Sequence, residues 1–286
     1  MLYSPFPNLQ SPVSNLQSLS SILHSPFAFH LLVCSLLLLL LSCTAQPFTV
    51  TRQSATLRLV AADSCEPLVG ELMAAYEASH PWVTAEVEVF NSAVAQETLQ
   101  EGEADLALLS WLPATAEPGA LWSQPFARDG VAVVVHPATP FSETGLAQLQ
   151  AVFRGQVQEW GGVVLSVVSR EQGSGTRAVF ENVVLGGRDV ALTAVVMPSS
   201  RAVVEYVART PGAIGYVSTL RLEEPSADGL RVLPVEGVLP ARAAISDGSY
   251  PLWRPLYLAT VGEPAGQARE FAQWVLGAEG QAIVNN

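Results

Sequence analysis

Lysine is missing from this 286-residue chain, whose 14 basic residues are all Arg and stand against 26 acidic residues, for a formal net charge of −12. Without Lys the chain cannot carry the Gly-Lys-Ser/Thr ending of a P-loop, which excludes a nucleotide site of that kind. The negative charge repels a nucleic-acid backbone at long range, so the chain is a poor candidate for a DNA- or RNA-binding protein. A small anion can still bind, because local hydrogen-bond donors hold it whatever the net charge.

Cysteine and histidine are scarce as well. Cys34, Cys43 and Cys65 have neither the spacing of a disulfide framework nor that of a zinc site. The four His residues are scattered without paired spacing. We therefore expect no metal and no cofactor, and we interpret Cys65 as a buried thiol, in preference to a nucleophile.

The amino-terminal segment is apolar from Ala28 to Leu41. That length fits the central region of a signal peptide and is short for a permanent membrane span. The run ends in LLSC at Cys43, which resembles the lipobox of bacterial lipoproteins, in which the Cys is lipid-modified. We interpret residues 1–45 as a leader and residues 46–54 as a tether, with plain cleavage near Ala45 as the alternative. The first 28 residues contain no Arg or Lys, unlike either kind of leader.

The rest of the chain alternates short apolar strands with helical stretches, a pattern typical of an α/β fold. The predicted strands are residues 56–60, 83–90, 105–109, 130–136, 163–169, 212–217 and 254–260. The predicted helices are residues 67–79, 93–101, 146–153, 177–184, 202–208 and 265–284. No Pro/Ser linker divides the chain, so a two-lobed arrangement requires strands that cross between the lobes.

A glycine-rich turn is the most informative stretch. Ser169 to Arg177 read SREQGSGTR, after an apolar strand and before an amphipathic helix. Two glycines let the backbone approach a ligand closely, and the first amides of a helix are free to donate to an anion. Arg170 adds a planar fork of donors that matches a tetrahedral oxyanion. An ordinary strand-to-helix turn with a Ser N-cap is the alternative interpretation.

With Phe180 and Glu181 behind it, this turn closely resembles the phosphate-binding proteins of the high-affinity phosphate ABC importer, a type II periplasmic (solute-binding) protein family. Further segments resemble that family in the same order: VFRGQVQEW at residues 152–160, PGAIGYV at 211–217, YPLWRPLY at 250–257 and EGQ at 279–281. The likeness runs from about residue 56 to the end of the chain. The conjunction is more specific than any one segment.

The resemblance implies the type II periplasmic binding protein fold, in which two α/β lobes are joined by a two-strand hinge with the ligand cleft between them. Residues 55–135 and 250–286 would form lobe 1, and residues 136–249 would form lobe 2. The hinge strands would be Val131–His136 and Arg254–Thr260.

The resemblance also implies a set of phosphate-binding residues. They are Ser64, Ser92, Arg170, Ser174, Gly175 and Thr176, to which we add Asp63 as a hypothesis of our own. Some family members place an Asp after the third strand, where it accepts a hydrogen bond from protonated phosphate and rejects sulfate. Trp111 stands there in this chain, and our hypothesis is that Asp63 supplies the acceptor instead. The alternative is that Asp63 is a cap or turn residue, which would leave sulfate, molybdate or a phosphonate as ligands.

The function that the resemblance implies is capture of inorganic phosphate outside the cytoplasm for an ABC transporter, without chemistry on the ligand. The expected partners are phosphate and the permease subunits, and the membrane through a lipid on Cys43, with the protein a monomer. Alternatives are a binding protein for another oxyanion, a phosphate sensor without transport, and, least favoured, a phosphatase on the same fold.

Overall fold

The computed structural model describes residues 52–112, 121–223 and 225–285, together with all side chains in those ranges except Pro225 and Ser226. Cys43 and the interpretation of residues 1–45 as a leader lie outside the described residues. Among the described helices, none combines the length and the hydrophobicity that a membrane crossing requires.

Strands and helices alternate along the chain, as the sequence predicts. The strands are β1 (Ala55–Ala62), β2 (Val83–Phe90), β3 (Leu106–Leu109), β4 (Leu121–Val135), β5 (Glu159–Trp160), β6 (Val163–Val164), β7 (Ser166–Arg170), β8 (Val195–Met197), β9 (Ala213–Ser218), β10 (Arg231–Leu233) and β11 (Trp253–Val261). The helices are α1 (Glu66–Ser79), α2 (Ser92–Gln100), α3 (Leu146–Phe153), α4 (Gly175–Val184), α5 (Ser200–Arg209), α6 (Arg242–Asp247), α7 (Gly266–Leu276) and α8 (Ala278–Val284). The described residues also form 3-10 turns at Asp63–Cys65, Thr219–Arg221 and Pro225–Gly229.

One large sheet organises the chain, in the order β2-β1-β3-β11-β4-β9-β7-β8, with β10 also paired to β4. The strands β1, β2 and β3 are parallel to each other, and so are β7, β8 and β9. The long strand β4 links the two groups, because its first part pairs with β11 and its last part, Val131–Val135, pairs with β9. The mixed α/β architecture is therefore confirmed.

Helices cover both faces of each parallel group. Helices α1 and α7 pack on one face of β1 and β3, while α2 packs on the other. Helix α5 packs on β7 and β9, and the opposite face carries α3 and α4. The apolar runs of these strands are buried on both sides, as expected for parallel strands enclosed by helices.

The chain crosses between the two groups at Val131 and Leu252. The Val131 amide donates to the Leu252 carbonyl (2.7 Å), and the Tyr250 hydroxyl donates to the Val131 carbonyl (2.9 Å). These bonds bind the two crossing segments to each other. The lobe boundaries given by the sequence stay a prediction.

Two predicted elements are wrong in detail. The strand over residues 163–169 is two strands, because β6 pairs with β5 in a small hairpin while β7 joins the large sheet. The helix over residues 265–284 breaks at Gly277 into α7 and α8. The close packing after the break requires a glycine, because a Cβ on Gly280 would lie 2.4 Å from the Cα of Val275.

Candidate functional site

Three helices begin where parallel strands end. Helix α2 follows β2, α4 follows β7 and α5 follows β8, and each N-cap side chain accepts a backbone amide of its own helix. The N-caps are Asn91, Ser174 and Ser199. In an α/β sheet, ligands bind at the carboxyl ends of the strands, where helix amino termini present free amides and positive potential.

The amino termini of α2 and α4 meet at a pair of serine hydroxyls. Ser92 Oγ lies 2.9 Å from Ser110 Oγ, and both side chains are buried. A Cβ on Gly175 would lie 2.5 Å from the Ser92 hydroxyl and 2.4 Å from the Ser110 hydroxyl. The Ala93 amide also donates to the Gly173 carbonyl (3.0 Å). The two helix amino termini and the two hydroxyls are therefore in direct contact. This close approach requires a glycine at position 175, because any Cβ there would clash with the hydroxyls.

Arg170 is buried at the end of β7, 1% exposed, within a ring of acceptors. Its Nη1 donates to both carboxylate oxygens of Asp63 (3.1 Å each) and to Ser200 Oγ (2.8 Å). Its Nη2 donates to Asp63 Oδ1 (3.1 Å) and to Glu171 Oε1 (2.8 Å). The Asp63 carboxylate also accepts the Ser200 amide (2.7 Å), the first amide of α5. The Asp63 carboxylate thus accepts hydrogen bonds from a guanidinium and from a helix amino terminus, two kinds of donor that suit an anion.

Arg254 is a second buried guanidinium and lies on β11. Its Nε and Nη2 donate to Asp129 Oδ2 (2.9 and 2.7 Å), and its Nη1 donates to Thr176 Oγ1 (3.1 Å). Arg254 and Asp129 are each 2% exposed and Thr176 is 1% exposed. Thr176, in the first turn of α4, is thus tied to the strands that join the two groups.

The turn after β1 holds Ser64 and Cys65, both buried. Arg221 fixes this turn by donating to the Asp63 carbonyl, and it also pairs with Glu66. Burial raises the pKa of the Cys65 thiol to about 12, with Arg254 opposing the rise and Asp129 adding to it. Because only the thiolate is nucleophilic, Cys65 is inert at neutral pH, in line with its interpretation as a buried thiol.

A domain-family model described as the PBP superfamily domain matches residues 47–279. The chain belongs to the PBP superfamily. Within this superfamily it is similar to the phosphate-binding protein PstS of Bacillus subtilis, at 27% identity over 232 residues, which cover 78% of this chain and 76% of the relative.

Two solved structures have the same fold as this chain. One is a phosphate ABC transporter substrate-binding protein from Clostridium perfringens with bound phosphate; it has a TM-score of 0.74, 23% identity, and coverage of 80% of this chain and 96% of that one. The other is an ABC-type phosphate transport receptor from Vibrio cholerae, with a TM-score of 0.66, 26% identity and the same coverage. The expected type II periplasmic binding protein fold is confirmed.

The structure brings the site residues expected from the sequence into neighbouring clusters at the strand ends. Ser92 and Gly175 meet at the hydroxyl pair, Asp63 and Arg170 form the ion pair, and Thr176 contacts Arg254. Ser174 is the N-cap of α4, as its alternative interpretation holds. The structure does not test whether any of them binds phosphate, so that assignment stays a prediction.

Four residues around these clusters were missed from the sequence. They are Ser110, Asp129, Ser200 and Arg254. Ser110 had a signal in the sequence, since it directly follows β3 and precedes Trp111 at the carboxyl end of that strand. Arg254 and Asp129 had none, because they are 125 residues apart in the chain. Among the described residues, no group of His, Cys, Asp and Glu side chains is arranged to hold a metal ion.

Proposed function

We propose that this chain captures inorganic phosphate outside the cytoplasm and delivers it to an ABC transporter. The observation that carries the proposal is the meeting of two helix amino termini at Ser92, Ser110 and Gly175. The names of the relatives support it, because the Bacillus subtilis protein is a phosphate-binding protein and the Clostridium perfringens structure holds phosphate.

The anion would lie among hydroxyls and helix amides, dehydrated and without a metal. The hydroxyls of Ser64, Ser92, Ser110 and Thr176 would donate to it, and so would the Gly175 amide. Free amides at a helix amino terminus suit an oxyanion because the backbone donors and the helix dipole act together. Ser174 would contribute through the turn that it caps.

Asp63 and Arg170 would act as one unit at the edge of this site. The Arg170 side chain makes eight hydrogen-bond contacts with five N–H groups, so its donors are shared and the guanidinium would reach a ligand by giving up one of these contacts. Asp63 would hold the guanidinium in place and accept the proton of hydrogen phosphate. Sulfate carries no such proton, so the carboxylate would repel it.

Closure of the protein around the anion would complete capture. A ligand that contacts both parallel groups stabilises the closed state by its differential affinity for that state. We further propose that the protein is a monomer without enzymatic activity and that Cys43 carries a lipid anchor, on the support of the LLSC run. The mass of the mature protein tests the anchor, since an unmodified amino terminus would contradict it.

Sulfate is the second candidate ligand, and one observation favours it. Trp111, whose Cβ would lie 3.0 Å from a Cβ on Gly175, stands where some family members place an acidic acceptor. If Asp63 is fully committed to Arg170 and Ser200, a fully ionised anion would meet donors alone.

A competition titration separates the two candidates. We expect calorimetry to show phosphate binding at least about a hundredfold tighter than sulfate, because a sulfate oxygen facing Asp63 leaves two acceptors unpaired. In Asp63→Asn the preference is expected to fall about tenfold or more, because an amide can donate to sulfate. Equal affinities of the wild-type protein for the two anions would contradict the phosphate proposal.

A further inference from the structure

The ion pair of Arg254 and Asp129 has a position that stability alone does not explain. The two residues are directly opposite each other on β11 and β4, and each is 2% exposed. Burying two charges costs about as much as their attraction returns, so a buried pair is weak support for a role in stability. The other hydrogen bonds of Arg254 and Asp129 indicate a second role for the pair.

The third contact of Arg254 is with Thr176. Arg254 Nη1 lies 3.1 Å from Thr176 Oγ1, and a guanidinium can only donate. The Thr176 oxygen must therefore accept, and its own proton must point away from Arg254. The first turn of α4, to which Thr176 belongs, lies against the Ser92 and Ser110 hydroxyls at Gly175.

Asp129 anchors the guanidinium from the other side. Its carboxylate accepts the Ser218 hydroxyl (2.9 Å), the Thr219 hydroxyl (2.8 Å) and the Thr219 amide (3.2 Å), in addition to Arg254. These partners lie at the end of β9, next to the crossing at Val131. The guanidinium is therefore fixed between the crossing strands and α4. Both charges also act on the Cys65 thiol, in the turn that holds Ser64.

We propose that Arg254 is a positioning residue that fixes the Thr176 hydroxyl as a hydrogen-bond donor toward the anion. The proposal rests on the phosphate site described under the proposed function. The guanidinium donates to one lone pair of the Thr176 hydroxyl oxygen. This contact restricts rotation of the hydroxyl about its C–O bond and directs its proton toward the ligand. Asp129 offsets the buried charge and sets the orientation of the fork.

A double-mutant cycle tests this coupling with phosphate as the titrant. Arg254→Met with Asp129→Asn removes both charges of the buried pair, and Thr176→Val removes the hydroxyl at nearly constant shape. Each change is expected to weaken phosphate binding about tenfold, the loss typical of one hydrogen bond to a charged group. The combined variant is expected to be no weaker than Thr176→Val alone, because both changes remove the same donor.

The matched control is Arg58→Met with Asp105→Asn, the same chemical change at an ion pair whose side chains are 45% and 33% exposed. We expect phosphate affinity within twofold of wild type there, on the order of experimental scatter for distant sites. If the Arg254→Met, Asp129→Asn variant does not fold, Arg254→Lys replaces it. Lysine keeps the charge, but its single ammonium cannot hold Asp129 and Thr176 as the fork does.

Each outcome is decisive. Additive losses in the combined variant, or unchanged phosphate affinity when the pair is removed, would overturn the positioning role and leave the phosphate site intact. Unchanged affinity in Thr176→Val would overturn the site assignment, and this inference with it. A wild-type protein that does not bind phosphate would overturn the proposed function itself.

Discussion

Gly175→Ala is expected to reduce phosphate affinity by about a hundredfold or more, while the protein stays folded. The new Cβ would lie within 2.5 Å of the Ser92 and Ser110 hydroxyls, so both side chains must turn away from the site. Forcing an extra carbon into a packed contact typically costs about 1–3 kcal/mol, and here the displaced groups are also the proposed ligands. Alanine favours a helix over glycine by about 1 kcal/mol, so thermal stability is not expected to fall by much.

The matched control is Gly70→Ala, the same change within α1. A Cβ on Gly70 would meet no atom within 4 Å. We expect unchanged phosphate binding and a small gain in melting temperature from the helix preference of alanine. Isothermal titration and thermal melts of both variants provide the measurement. Tight phosphate binding by Gly175→Ala would mean that the anion lies elsewhere.

Asp63→Ala is expected to cost about 3 kcal/mol of the free energy of unfolding, because it leaves Arg170 buried without its main partner. Arg170 is 1% exposed, and Asp63 accepts three of its hydrogen bonds. For a chain of this size the melting temperature would fall by roughly 6–12 °C. Chemical denaturation and calorimetry give the two quantities independently.

Glu205→Ala provides the control for charge removal at a surface pair. Glu205 and Arg209 lie 3.9 Å apart with side chains that are 47% and 78% exposed. Such pairs contribute well under about 1 kcal/mol, so the melting temperature should hardly change. If Asp63→Ala were as mild as Glu205→Ala, the buried pair would have no role in holding this part of the chain together.

Elements with a clear local pattern are predictable from the sequence. Strand β2 was predicted with its observed bounds, and so was helix α3. The first part of β4 was not predicted, because Pro125 and several polar residues interrupt the apolar pattern. Its pairing with β11 shifts register at Leu256 and Tyr257, where Tyr257 faces Pro125. A β-bulge leaves a residue outside the ladder, so it tolerates a proline that a regular central strand would not.

The kinds of residue at the candidate site could be predicted from the sequence, but which of them contact each other could not. The glycine-rich turn could be read locally, because a strand, two glycines and a helix start follow each other within the segment that begins at Ser169. The partner of Arg170 could not, since Asp63 lies 107 residues away in the chain. Which acceptor a guanidinium finds depends on how strands are ordered in the sheet, and residue spacing does not report that order.

Phosphate bound among Ser92, Gly175 and Thr176 is the proposal on which the transport function depends. Native mass spectrometry of the protein purified without added ligand tests it most directly, with Gly175→Ala measured alongside. We expect the wild-type protein to carry the mass of one phosphate, removable by partial unfolding and dialysis, and the variant to carry none. A ligand-free wild-type protein that also fails to take up added phosphate, or an adduct of another mass shared by both proteins, would contradict this proposal.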